Sequence, residues 1–110
     1  MTGAVFFRRE GRLTGFSVQG HTDDSGSTAA RLVCAAVSSA VYLTANTVTD
    51  VIGAKAEVSV SEGEMTLRLS EDNASAQALL EGLLLHLTQL SEQYQKYIAI
   101  KTEVQHDALH

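Results

Sequence analysis

The chain has 110 residues, 45% of them apolar, with no Pro and no Trp; a chain of this size makes one domain and buries a core without disulfide staples. Its net charge of −5 argues against direct nucleic-acid binding, because phosphate contacts need clustered Lys and Arg, and suits a basic peptide better. The single cysteine, Cys34, excludes an internal disulfide and fits a reducing compartment.

Met1 to Glu10 lacks a basic region followed by a long apolar run, so no secretory signal is expected. The longest apolar stretches fall short of the ~18 residues that span a bilayer. The expectation is a cytoplasmic protein with no membrane partner.

Ala4 to Arg8 and Leu13 to Val18 read as two strands around a Glu10-Gly11 turn, a β-hairpin signature. Strict alternation puts Leu13, Gly15 and Ser17 on one face and Thr14, Phe16 and Val18 on the other. Gly20 ends the second strand and His21 follows. His21 to Thr28 is a run of small polar residues that reads as a surface loop, with Ser27 or Thr28 as the cap of the next helix.

Ala29 to about Val51 reads as one long helix. Leu32, Ala36, Val37, Ala40, Val41, Leu43, Thr44 and Val48 recur at helical spacing, and no charge falls between Arg31 and Asp50. A helix without a charged face is buried on most sides, by a covering sheet or a partner subunit. Gly53 closes it. Ala56 to Val60 and Met65 to Leu69 alternate apolar with polar residues around Glu62-Gly63-Glu64, the clearest hairpin in the chain. Asp72 or Asn73 caps a second helix whose stripe is Ala76, Leu80, Leu83, Leu87 and Leu90, continued by Tyr94. Tyr97 to Val104 reads as a last strand, and the polar tail from Gln105 as frayed. The expected fold is α+β: a single domain over residues 1–110, mostly antiparallel, with two helices on one side of the sheet.

Cys34 falls near the start of the first helix. A thiol attacks only as thiolate, and a helix N-terminus, a guanidinium or an imidazolium favours that form. Arg31, one turn earlier, shares its face. A His at the exit of a strand could reach the same thiol, giving a nucleophile and a base. The plain alternative is a small buried hydrophobe on an apolar helix. His86 has no metal-ligand pattern around it, and His106 and His110, four residues apart, sit in a polar tail that makes a poor metal site, so neither metal nor cofactor is expected.

Gly20-His21, a loop, and then Val33-Cys34-Ala35-Ala36-Val37-Ser38 at the head of an Ala/Ser-rich helix resemble the ribosomal-processing cysteine protease family called Prp. The order of hairpins and helices resembles it too. The resemblance implies removal of a short N-terminal extension from a large-subunit ribosomal protein, by a homodimer without cofactors. It makes Cys34 the nucleophile and His21 its base. It places Gly20, Arg31 and Ser38 around the substrate, and gives a loop from Thr22 to Ala30 that orders over the peptide. Two positions depart from the family pattern: Arg31 stands where Asp is common, and Thr22 where Ala is common. Two other readings compete: a non-catalytic dimeric module that binds a ribosomal component, and a free-thiol redox sensor.

Overall fold

The computed structural model describes residues 1–20 and 27–105. Strands β1 (Thr2–Arg9) and β2 (Arg12–Gly20) form the first hairpin. Helix α1 (Thr28–Asn46) runs directly into a π-helical segment, Thr47–Ile52. Strands β3 (Ala56–Ser61) and β4 (Glu64–Leu69) form the second hairpin, followed by α2 (Ala74–Gln93) and β5 (Ile98–Val104). The sheet order is β3-β4-β2-β1-β5.

Three neighbouring pairs are antiparallel, as expected, but β5 runs parallel to β1, so the sheet is mixed. The pairings also make β3 parallel to β2 across β4. Parallel strands cannot be joined by a tight turn and need a crossover. α1 supplies it between β2 and β3, and α2 between β4 and β5. Both helices bury an apolar face against the sheet in one core cluster.

The first hairpin departs from strict alternation. Arg8 lies opposite Leu13 while Phe7 lies opposite Gly15, so Thr14 is an extra residue, a β-bulge. The bulge moves Leu13 onto the same face as Phe16 and Val18, and all three enter the core. This corrects the two-face reading of Leu13 to Val18. Glu10 (φ 52°) and Gly11 (φ 80°) form the turn, the left-handed pair that a two-residue hairpin of this twist requires. Phe6 and Phe16 sit opposite each other with ring centroids 6.0 Å apart.

Ser27 caps α1 by accepting from the Ala30 N–H, and Asn73 caps α2 by accepting from the Ala76 N–H. The helix therefore begins at Thr28, so Thr28 to Ala30 belong to its first turn and not to the expected loop. His21 to Gly26 lie outside the described residues, as do residues 106–110. α1 turns Val33, Val37, Val41, Thr44 and Ala45 inward. Leu32 and Leu43, which share the same helical spacing, are about two-thirds exposed. By length and composition, Thr28–Ile52 is also apolar enough to cross a membrane, which corrects the reading that no stretch reaches that length. In this fold its valine face lies in the core. Gly53 (φ 72°) ends the helical stretch by donating to the Val48 carbonyl.

Candidate active site

The fold gathers several strand ends along one edge of the sheet. β2 ends there at Gly20, β3 at Ser61, and β1 and β4 begin there. The Gly20 N–H donates to the Gly63 carbonyl at 2.8 Å, tying the end of β2 to the β3–β4 turn. Gly63 makes that turn with φ 75°, a conformation that favours glycine.

α1 carries Cys34 beside these strand ends. Cys34 is half-buried and free. A Cβ built on Gly20 would stand 3.5 Å from its Sγ, so the glycine backbone lies against the thiol. A pocket of about 210 Å³ opens beside the sulfur. Its apolar wall is Val18, Val37, Val41 and Met65, and its far side is Ser61, Gly63 and Glu64 of the second hairpin. Ser38 and Tyr42 follow Cys34 at one-turn intervals along α1 and line the same pocket.

Of the residues expected around a substrate, Gly20, Cys34 and Ser38 meet here. Arg31 is exposed on the first turn of α1 and does not line the pocket. His21 lies outside the described residues. Among the described residues, no three His, Cys, Asp or Glu side chains cluster to hold a metal ion. Tyr42 was missed from the sequence, although its spacing from Cys34 and Ser38 carried the signal. The hairpin residues carried none, because only the sheet order brings them to Cys34.

Chemically, the arrangement presents an accessible thiol at the mouth of an apolar pocket, bordered by glycine backbone. The cysteine protease Prp family model matches residues 1–99. The chain belongs to that family. It is a cysteine protease by that membership, and its fold is similar to those of solved structures. The crystal structure of SMU.848 from Streptococcus mutans is 29% identical, with a TM-score of 0.84 and 96% of each chain covered. The essential ribosomal processing protease Prp from Staphylococcus aureus, crystallised with a substrate peptide, is 20% identical. Its TM-score is 0.85, over 94% of this chain and 100% of that one. The same S. aureus protease with a covalently linked product peptide is 21% identical, with a TM-score of 0.82 and the same coverage. No curated protein sequence matches this chain.

Proposed function

We propose that this chain is a cytoplasmic endopeptidase that removes the N-terminal extension of a large-subunit ribosomal protein, with Cys34 as nucleophile and His21 as its base. The observation that carries this reading is the contact of Gly20 with Cys34. The strand end that leads directly into His21 lies against the thiol. The family match and the peptide complexes of the S. aureus relative support the substrate class.

In the proposed reaction His21 takes the proton of Cys34, and the thiolate attacks the scissile carbonyl carbon. The carbonyl oxygen becomes an oxyanion, which backbone N–H groups near Cys34 and the preceding loop would stabilise. The C–N bond then breaks, and His21 gives its proton to the leaving amine. A water molecule loses a proton to His21 and attacks the thioester. The C–S bond breaks, His21 returns its proton to sulfur, and the product leaves as a carboxylic acid that gives its proton to solvent. Ser38 lines the pocket beside the reacting bond, Gly20 leaves room for it, and Arg31 meets the peptide outside the pocket.

The reading includes a homodimer. Leu32, Ala36, Ser39 and Leu43 form an exposed, uncharged stripe on α1. It borders an apolar groove of about 520 Å³ between α1 and α2. Exposed apolar surface of this kind marks an interface, and a second copy covers it symmetrically.

The test is incubation with a peptide spanning the processing site of the ribosomal protein, read by mass spectrometry beside a Cys34→Ala control. A single cut that the variant cannot make is expected. Cleavage by the variant removes Cys34 from the mechanism. Binding without cleavage by the reduced, folded wild type supports the non-catalytic module.

A further inference from the structure

We propose that the outer edge of β3 is a strand-addition site for the substrate peptide, which pairs with Ala56, Val58 and Val60 before crossing the β3–β4 turn to Cys34. This rests on the peptidase reading above and adds to it the way the substrate is held.

The hydrogen-bond register decides which groups are free. The Ser70 N–H donates to the Lys55 carbonyl at 2.8 Å, and Lys55 and Ser70 continue the β3–β4 pairing that sets Ala56 opposite Leu69. In an antiparallel ladder, hydrogen-bonded pairs alternate with non-bonded ones. Glu57, Ser59 and Ser61 therefore turn their N–H and C=O groups toward β4. Ala56, Val58 and Val60 turn theirs outward, where the sheet order ends.

The same residues carry the apolar side chains. Val58 and Val60 stand opposite Leu67 and Met65, so they share the helix-side face of the sheet. Leu67 and Met65 are buried, yet Val58 is 41% exposed and Val60 55%. Open edges are normally blunted by Pro, by a bulge or by charge on the strand. β3 has no Pro and pairs with β4 without a bulge, and its only charge, Glu57, lies on the opposite face. The other edge, β5, carries Lys101 and Glu103.

Continuity with the pocket identifies the occupant. β3 runs toward the active-site edge and ends at Ser61, which lines the Cys34 pocket. A protease must hold its substrate extended to present one peptide bond, and an extended chain pairs with an open edge through its backbone. Strand spacing sets the reach. A chain added beyond β3 stands three spacings from β2, about 14 Å at ~4.8 Å each. About four extended residues cover that distance, so the docked segment lies about four residues from the scissile bond.

The test uses the full chain and a peptide that the wild type cuts. In the Cys34→Ala variant, saturating peptide is expected to slow amide exchange at Ala56, Val58 and Val60 about tenfold or more, with β5 unchanged. In the wild-type background, Val58→Lys is expected to raise KM about tenfold while kcat stays within about twofold, the pattern of a lost binding contact. Circular dichroism checks that this variant folds. Cleavage by the wild type with unprotected β3 amides and an unchanged KM in Val58→Lys overturns the edge site and leaves the peptidase reading intact. No cleavage and no binding overturns both. Protection of the same amides without peptide, rising with protein concentration, assigns the edge to a second copy and overturns the proposal.

Discussion

Gly20 presents its Cα to the sulfur of Cys34, and a methyl group placed there would stand 3.5 Å from Sγ. That is ordinary van der Waals contact, and Gly20 has no positive φ, so the fold has room for alanine. What alanine removes is open space beside the thiol. Gly20→Ala is expected to change stability by less than about 1 kcal/mol and to lower kcat/KM about tenfold or more. Urea unfolding and peptide cleavage measure the two effects separately. Unchanged cleavage would show that substrate approaches the sulfur from another side.

Gly15 is a stricter case. A Cβ at this position would meet the Leu67 carbonyl oxygen at 2.1 Å and the Arg68 Cα at 3.0 Å. Both are backbone atoms of the paired strand, so no side-chain rotation relieves the clash. Beside this glycine, the Arg68 guanidinium carbon lies 4.3 Å from the centre of the Phe7 ring, and Phe7 and Arg68 are its partners on either side. Gly15→Ala must push β4 away from β2. The expected loss is about 2 kcal/mol or more, measured by urea unfolding, with distortion carried along β4 to the active-site edge.

These two glycines show what sequence reading could reach. Gly20 was legible because it precedes His21 in a motif. The role of Gly15 was hidden because only the pairing of β2 with β4 brings the Leu67 carbonyl against it, whereas the Thr14 bulge hid the face of Leu13, since alternation counts residues and a bulge adds one. The second hairpin was readable because Val58, Val60, Met65 and Leu67 alternate cleanly around a Gly turn. α1 was readable as a helix but not as to its faces. With Val33, Leu32 and Ala36 on adjacent sides, apolar spacing could not separate the core from an exposed stripe. The parallel pairing of β5 with β1 depends on a crossover, and no local pattern encodes it. The pocket wall from the second hairpin was invisible for the same reason.

Gln77 on α2 clamps the bulged strand. Its side chain accepts from the Leu13 N–H at 2.7 Å and donates to the Leu13 carbonyl at 2.8 Å. Both backbone groups lie next to the bulge, where the ladder is interrupted. Gln77→Leu keeps the bulk and removes both bonds, leaving partly buried polar groups unsatisfied. A loss of about 2 kcal/mol is expected, read as a lower urea midpoint with an unchanged slope.

The Arg8–Glu81 pair offers a contrast. Arg8 makes two contacts with the Glu81 carboxylate, at 3.0 and 3.1 Å, but the two side chains are 26% and 45% exposed. Water and salt screen such a pair. Glu81→Gln is expected to cost no more than about 0.5 kcal/mol at low salt, and less in about 1 M salt. A loss as large as that of Gln77→Leu would mean that the pair anchors α2 to the sheet.

Leu43 tests the proposed dimer. It is 67% exposed and Leu32 is 66% exposed, and helical spacing sets the two on one stripe with Ala36. Leu43 also lines the groove between α1 and α2, whereas the core valines of α1 point the other way. A charge at Leu43 should therefore leave the monomer's core intact while opposing burial in an interface, since an unpaired buried charge is costly. Leu43→Glu is expected to shift sedimentation from dimer to monomer, with thermal unfolding of the monomer little changed at low protein concentration. A dimer that survives the substitution would place the interface elsewhere, and the open edge of β3 would be the next surface to probe.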